Sequence, residues 1–155
     1  MMRKTAPTPD GTETPIDSGL RDFVGYNLRR TSNAVMSDAA RVLEPLGLRV
    51  TTFSALTVIC DTQDVTQSQL AAALNMERSN TVLIIDALEQ AGMIGRHRME
   101  SDRRSFALRP TLAGIKARKD AVRALARHED RMFARLSAEE RRQLIALLQR
   151  VEIPD

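Results

Sequence analysis

The chain has 155 residues and a formal net charge of +3; 43% of the residues are hydrophobic, 3% are aromatic and none is tryptophan. This length and composition exclude a disordered chain and favour one mainly α domain over a β-sandwich. The single cysteine, Cys60, excludes an internal disulfide and fits a reducing compartment. No apolar stretch approaches the ~20 residues of a membrane span, and no apolar run follows Arg3 and Lys4 as in a secretory signal. We therefore expect a cytoplasmic protein.

The first elements in chain order are a tail and two helices. Residues 1–18 are rich in Pro, Thr and Asp and have no apolar period, which predicts a flexible tail, whereas residues 19–155 are expected to form one domain. Helices are predicted over 20–43, capped by Asp17 or Ser18 and ended by Pro45 and Gly47, and over 51–62. The apolar positions at helical spacing are Phe23, Val24, Leu28, Val35, Ala39, Ala40, Phe53, Leu56, Ile59 and Cys60.

A third and a fourth helix follow, joined by a tight turn. Thr66 and Gln69 form a T-x-x-Q capping box, in which each side chain satisfies a free backbone N–H of the other, so the third helix begins at Thr66. Asn75 and Met76 make the turn, and the fourth helix is predicted over 77–91 with Gly92 as its stop. The inward-facing residues of these helices are Leu70, Leu74, Thr81, Ile84, Ile85 and Leu88.

The last third of the chain predicts a hairpin and two more helices. Short strands are expected over 93–100 and 105–108, around a tip at residues 101–104. A fifth helix, capped by Thr111, is predicted over 111–136. Ser137 and Glu140 form a second capping box, which begins a last helix.

Residues 66–114 are the part of the sequence that indicates a function. Two helices joined by a brief turn can place the second helix in a DNA major groove, and a basic hairpin behind it can reach the neighbouring backbone or minor groove. Five arginines (96, 98, 103, 104 and 109) stand here against Glu100 and Asp102. The alternative is an ordinary solvated surface.

Candidate base-reading residues lie on the fourth helix, opposite its buried stripe. Arginine can pair with guanine, asparagine with adenine, and serine with a base or a phosphate. Val82 and Leu83 either touch thymine methyl groups or pack under the hairpin or against a neighbouring molecule. The exposed face consists of Arg78, Ser79, Asn80, Val82, Leu83 and Asp86.

The hairpin tip carries Asp102, Arg103 and Arg104. A carboxylate beside two guanidinium groups can orient one of them and leave the other free for a narrow minor groove. An ordinary polar turn is the alternative, and the helix pair upstream is what favours DNA contact.

The segments VTQSQLAAALNMERSNTVLIIDALEQAGMIGRHR and SDRRSFALRPTLAG together resemble the MarR family of bacterial transcriptional regulators, and the similarity covers about residues 19–151. It implies a winged helix-turn-helix over 51–110, dimerisation helices over 19–50 and 111–155, an obligate homodimer and a palindromic double-stranded DNA operator. In this family the positions of Arg78, Ser79 and Asn80 enter the major groove. Leu83 and Pro110 depart from the family pattern, which leaves the base code open and stiffens the exit from the wing.

The resemblance also implies further contacts of the two lobes with DNA. Asp102 would brace the wing, and Arg103 or Arg104 would meet the minor groove. The positions that match phosphate-contacting residues are Thr66, Gln67 and Ser68.

Regulators of this kind usually sense a small molecule, often an aromatic or phenolic acid, and repression is their usual output. The hydroperoxide-sensing members use a cysteine near the start of the first helix, where this chain has Val24 and Gly25, so a redox role of Cys60 is the alternative to a buried thiol. The effector-binding candidates, for each of which a structural role is the alternative, are Tyr26, Arg30, Asn33, Phe53 and Cys60.

Two other function classes compete with DNA binding. His97 and His128 are far apart, no Cys/His cluster has metal spacing and no Gly-rich phosphate loop is present, so we expect no enzyme, no metal and no cofactor. A winged helix used only for protein contacts would not need Arg103 and Arg104 at the tip together with Asn80 on the exposed helix.

Overall fold

The computed structural model describes residues 15–99 and 106–151, and the chain divides between Met36 and Ser37 into two units that are described separately. The elements are α1 (Val24–Leu43), α2 (Val50–Asp61), β1 (Val65–Thr66), α3 (Gln67–Ala73), α4 (Arg78–Gln90), β2 (Ile94–Arg98), β3 (Phe106–Pro110), α5 (Leu112–Met132) and α6 (Ala138–Val151), with short 3-10 turns at Ser18–Leu20 and Glu44–Leu46. The predicted class, mainly α with a winged helix-turn-helix, is confirmed. Most of the predicted tail, residues 1–14, lies outside the described residues.

In the first unit, residues 15–36, the first helix starts later than predicted. Backbone hydrogen bonds from Ser18, Leu20 and Arg21 to carbonyls three residues back form a 3-10 turn, and regular α-helix begins only at Val24. The predicted cap is also different. Asp17 stands before the turn without capping it, because its carboxylate is taken by side chains of later residues.

The predicted apolar face of α1 is not buried within the single chain. Phe23 is 63% and Val24 71% exposed, and Leu28 is also exposed. Only at its C-terminal end, in the second unit, does α1 contribute buried side chains, Ala39 and Leu43. Periodicity identified the apolar positions of the helix, but those in its N-terminal half are exposed to solvent.

The core of the second unit, residues 37–151, lies between α2, α4, α5 and the small sheet. Leu56 and Ile59 of α2 meet Ile85 and Leu88 of α4, and all four side chains are essentially inaccessible to solvent. Complete burial of each such side chain is worth about 1.5–3 kcal/mol relative to exposure. The other members of this cluster are Leu43, Leu48, Ala55, Val65, Leu70, Ile94, Leu108 and Ala121.

The sheet has three antiparallel strands in the order β1–β3–β2. β2 and β3 form the predicted hairpin, with Ile94 opposite Pro110 and Arg98 opposite Phe106. β1, in which Val65 lies opposite Leu108, was not predicted, because a two-residue strand shows no alternation in sequence. β3 extends to Pro110, beyond the predicted end at 108.

A close junction joins the end of α4 to the start of α5. Thr111 donates its hydroxyl proton to the carbonyl of Gly92 (2.6 Å) and its N–H to the carbonyl of Met93 (3.0 Å), while the same hydroxyl accepts the N–H of Gly114 (3.1 Å) and so caps α5. Gly114 lies so near Met93 that a Cβ atom there would stand 2.0 Å from the carbonyl oxygen. Gly92 has a φ of +66°, which makes the turn.

A buried histidine ties α5 to the second-unit part of α1. His128 is 1% exposed, and its Nδ1 lies 2.8 Å from Oδ2 of Asp38. Its Nε2 has no partner among the described residues. Burying a polar group costs less free energy when the group keeps a hydrogen bond, so the contact with Asp38 reduces the cost of burying His128. The sequence predicts no catalytic role for His97 and His128, and this stays a prediction.

Among the described residues, no individual helix combines the length and hydropathy needed to cross a membrane; the bent pair Val24–Leu46 and Val50–Asp61 passes by length and composition alone.

Replacing Gly114 with Ala tests the junction. Because the new methyl group would collide with backbone rather than with a movable side chain, we expect a loss of stability of about 3 kcal/mol or failure to fold. The matched control is Gly25→Ala, since nothing lies within 4 Å of a Cβ at Gly25. Thermal unfolding at one fixed protein concentration compares the two variants, and equal midpoints would contradict the close approach seen at Gly114.

Candidate nucleic-acid interface

The predicted helix-turn-helix is formed by α3 and α4. Thr66 caps α3 as expected: its hydroxyl accepts the N–H of Gln69 (3.3 Å), and the Gln69 side chain accepts the N–H of Thr66 (2.9 Å). The turn between the helices closes with the N–H of Met76 on the carbonyl of Ala71 (2.9 Å), and Asn75 takes a φ of +47°. This local chemistry fixes the start of α4 relative to α3.

α4 is held by one face and leaves the other in solvent. Thr81, Ile85 and Leu88 are buried. The hydroxyl of the buried Thr81 donates a hydrogen bond to the carbonyl of Glu77 (3.0 Å), so it is not left unpaired. The predicted reading residues divide as follows: Arg78, Ser79, Asn80 and Leu83 are exposed, whereas Val82 and Asp86 are half-buried. Leu83 is 67% exposed, which leaves a large apolar side chain beside the polar turn of the helix.

The first turns of α3 and α4 meet in one polar cleft. An Nη atom of Arg78 lies 3.3 Å from the Ser68 hydroxyl, which accepts its proton. The cleft has a volume of about 270 Å³. Free backbone N–H groups at a helix start attract anions, so a cleft next to two such starts is suited to a phosphate. Its lining includes Thr66, Gln67, Ser68, Arg78, Arg96 and Phe106.

Arg96 on β2 connects the wing to α4, a contact that the sequence reasoning missed. Its guanidinium pairs with the carboxylates of both Asp86 and Glu89. Asp86, expected on the exposed reading face, is therefore engaged on the wing side of α4. The sequence contains the components of this contact, because two acidic residues three apart on a helix are followed by an arginine in the next strand. The sequence alone does not predict the contact, because the direction of the strand relative to the helix depends on tertiary structure.

A second ion pair lies at the other edge of the sheet. The Nε of Arg109 on β3 lies 2.5 Å from Oδ1 of Asp64, the residue before β1, which has a φ of +54°. The hydrogen bond from Arg109 holds the pKa of the Asp64 carboxyl below its ordinary value. Two of the five arginines counted around the wing, Arg96 and Arg109, are thus paired within the protein.

The tip of the wing lies outside the described residues. Asp102, Arg103 and Arg104, predicted to brace the wing and to meet the minor groove, belong to the segment 100–105. The strands on either side are described, and they bring Arg98 and Phe106 opposite each other at the last paired position.

The proposed effector residues of the first unit are held by an internal network. Asp17 accepts the hydroxyl proton of Tyr26 (2.6 Å) and an Nη proton of Arg30 (3.3 Å), as well as the Nε proton of Arg21 (3.0 Å). The hydrogen bond from Tyr26, and then that from Arg21, lowers the pKa of Asp17. Asn33 is exposed. Tyr26 and Arg30 therefore have structural partners already.

The proposed effector residues on α2 have different surroundings. Phe53 is half-buried and packs against the core of the second unit. Cys60 is half-buried beside a cavity of about 590 Å³, and burial raises the pKa of its thiol above the ordinary value. Within the described ranges, no group of three or more His, Cys, Asp or Glu side chains has the arrangement of a metal site.

Known proteins resemble this chain in both sequence and structure. The MarR family model matches residues 48–106. A putative transcriptional regulatory protein for the hcr operon of Thauera aromatica is 31% identical over 153 residues, which cover 97% of this chain and 92% of that protein.

Solved structures give the same relationship. CouR from Rhodococcus jostii RHA1 bound to p-coumaroyl-CoA has a TM-score of 0.79 and 30% identity, over 88% of this chain and 96% of that one. A structure of the repressor CouR on a 23-mer DNA duplex has a TM-score of 0.83 and 32% identity, over 87% and 96%. The Mycobacterium tuberculosis protein Rv2887 in complex with salicylic acid has a TM-score of 0.68 and 25% identity, over 84% and 96%.

The sequence similarity to the Thauera aromatica regulator extends over nearly the full length of both chains. It therefore includes the helix pair, the wing and the long flanking helices of this structure. The chain belongs to the MarR family of transcriptional regulators.

Proposed function

We propose that this protein is a sequence-specific DNA-binding repressor that acts as a homodimer and is released from its operator by a small aromatic effector. The observation that carries the proposal is the solvent-facing first turn of α4, where Arg78, Ser79 and Asn80 are exposed together above a buried stripe. An amide, a hydroxyl and a guanidinium on one rigid helix end are the groups that read base edges in a major groove.

Affinity and selectivity come from different parts of this surface. Phosphates bind at the starts of α3 and α4 and at the wing, and these contacts position the protein without reading sequence. Asn80 and its neighbours then discriminate between bases. As the family resemblance implies for the tip, Asp102 braces the wing and Arg103 or Arg104 enters the minor groove. The structure of the related repressor CouR bound to a 23-mer duplex supports DNA binding as the activity.

The exposed apolar surface of α6 supports a homodimer. None of the residues of this 14-residue helix is buried in the single chain, although it carries a continuous apolar face. Apolar patches of this kind mark interaction sites, and a second copy is the occupant that we propose for this one. In such a dimer, two α4 helices that read successive major grooves would have to stand about 34 Å apart, one helical turn of DNA. The exposed apolar residues of α6 are Leu144, Ile145, Leu147, Leu148 and Val151.

A small aromatic effector is supported by two relatives. Rv2887 has been solved with salicylic acid and CouR with p-coumaroyl-CoA, so both ligands contain a hydroxyl-bearing aromatic ring and a carboxyl-derived group. An effector releases DNA only to the extent that it prefers the non-binding conformation. Tyr26, Arg30, Asn33, Phe53 and Cys60 stay candidates for its contacts, although Tyr26 and Arg30 already bind Asp17.

The competing functions have weaker support. A thiol acts as a nucleophile in its thiolate form, and burial raises the pKa of Cys60, which disfavours a redox switch. Catalysis is not supported by the relatives, which are transcriptional regulators. A winged helix that contacts only protein would not need Asn80 and Arg78 exposed together at the first turn of α4, where Arg78 also lines a polar cleft. We therefore propose binding and not catalysis as the activity.

Salt dependence tests DNA binding directly. We expect the affinity for operator DNA to fall steeply with salt, with a logarithmic slope of about −0.9 for each phosphate neutralised. Arg104→Ala should weaken binding to all DNA sequences alike and make the slope shallower, because it removes one phosphate-neutralising charge. Fluorescence anisotropy at several salt concentrations measures both. Wild-type binding that does not respond to salt would contradict the proposal.

Base reading by α4 is tested separately. Asn80→Ala should leave the salt slope unchanged and relax base preference at one operator position by about 1–3 kcal/mol, because it removes hydrogen bonds to a base and no charge. Affinities for a set of single-base operator variants provide the measurement, with Asn33→Ala on exposed α1 as the matched control. If the ranking of the variants stays the same, Asn80 does not read a base.

The Arg96 bridge predicts that wing and recognition helix act as one body. Arg96→Gln removes both ion pairs to α4, and we expect operator affinity to fall about three- to tenfold because the wing and α4 are no longer aligned. Arg109→Gln removes the same charge from the same sheet but breaks only the pair with Asp64, so its effect should be smaller. Equal losses in the two variants would show that net charge alone matters.

A further inference from the structure

Leu83 stands at the centre of the exposed face of α4. Successive residues of a helix are about 100° apart, so Leu83 points nearly opposite to the three buried residues of α4 and lies between the directions of Ser79 and Asn80. Leu83 is 67% exposed, whereas its neighbour Val82 is half-buried. Of these two apolar residues, Leu83 is therefore the one that a partner of the reading face would meet.

The face around Leu83 is uncharged. Asp86 and Glu89, the acidic residues in the second half of α4, both pair with Arg96 of the wing and are only partly exposed. This face can therefore approach the floor of a groove, between two rows of phosphates, without a free carboxylate of its own that would be repelled. The exposed residues of α4 beyond its first turn are Leu83, Ala87 and Gln90.

A leucine at this position matches one chemical feature of the major groove. Thymine presents a methyl group there, whereas the other groups that distinguish the base pairs are hydrogen-bond donors and acceptors. The side chain of Leu83 forms no hydrogen bond, so covering a donor or acceptor would remove that group from water without replacing its partner, at a cost in free energy. Packing against a methyl group carries no such cost and removes apolar surface from water.

We propose that Leu83 is a specificity-determining residue that reads thymine, by packing against the methyl group of a thymine about one or two base pairs from the base that Asn80 contacts. The spacing follows from helix geometry, because three residues advance about 4.5 Å along α4 and successive base pairs are about 3.4 Å apart. The proposal rests on the proposed DNA-binding function, which it deepens by naming a chemical feature of the operator.

Removing single methyl groups from the DNA provides the main test. An operator duplex is first selected by the wild-type protein from a library of random sequences. Each thymine is then replaced in turn by deoxyuridine, which pairs with adenine in the same way but lacks the methyl group. We expect one thymine in each half-site at which the replacement weakens wild-type binding about three- to fivefold, the contribution of one buried methyl-sized group. Fluorescence anisotropy measures the affinities.

Variants of Leu83 assign the sensitive thymine to this side chain. Leu83→Ala should bind the thymine and deoxyuridine duplexes equally well, because alanine preserves the helix but is too short to reach the same methyl group. Leu83→Met, which keeps an apolar side chain of similar volume, should retain the sensitivity. The matched control is Leu112→Ala, which shortens an exposed leucine at the start of α5 and should respond like wild type.

A second pair of duplexes separates the methyl group from the rest of the thymine. Cytosine and 5-methylcytosine are placed in turn at the sensitive position, each paired with guanine, so that the two duplexes differ only in the methyl group. The wild-type protein should bind the methylated duplex about three- to fivefold more tightly, and Leu83→Ala should bind both alike. A wild-type protein that does not distinguish them would overturn the methyl contact.

The two proposals fail in different ways. A wild-type protein that selects no sequence, and whose binding to DNA does not respond to salt, would overturn the DNA-binding function. Selective binding without a deuridine-sensitive thymine, or with the same sensitivity in Leu83→Ala as in the wild-type protein, would overturn thymine reading alone. A loss in Leu83→Ala that is equal on all duplexes would also overturn it, because Leu83 would then contribute to affinity without distinguishing bases.

Discussion

The contact between Gly114 and the carbonyl of Met93 is the constraint on which the arrangement of the DNA-binding surface depends. A glycine is needed because any Cβ would occupy the place of the carbonyl oxygen, 2.0 Å away. Thr111 completes the junction by bonding to both Gly92 and Met93 while it caps α5. The end of α4, the start of β2 and the start of α5 are thereby fixed to one another by backbone groups, which have no rotamers to relax into.

That rigidity has a consequence for regulation. α5 is a 21-residue helix, about 31 Å long, and its first turn cannot tilt without moving the α4–β2 turn. Arg96 adds a second tie, from the middle of β2 to Asp86 and Glu89 on α4. Wing and recognition helix therefore move together, and a ligand gains leverage either by tilting the whole lobe or by acting on the face of α4 directly.

The sequence predicted the elements whose causes are local. The capping boxes at Thr66 and Ser137 depend on residues three apart, and the stripe of α4 depends on a 3.6-residue period, so both are readable without tertiary information. β1, the Arg96 bridge and the half-burial of Asp86 depend on which strand lies beside which element, and a single sequence does not encode that in any short pattern. For α1, the helical period located the apolar residues correctly, but a period alone does not show whether an apolar face is buried, and Phe23 and Val24 are exposed.

The distribution of ion pairs decides which arginines remain for DNA. Arg96 and Arg109 are bound to carboxylates of the same lobe, so their charges position the wing more than they attract phosphates. Arg78 contacts only the neutral Ser68 hydroxyl among the described residues, and its full charge is available at the start of α4. A lobe that neutralises its structural arginines limits unspecific attraction, because the affinity common to all DNA sequences scales with the number of phosphates neutralised. Selectivity then depends on few groups, of which Arg78 at the start of α4 is the one whose charge has no carboxylate partner among the described residues.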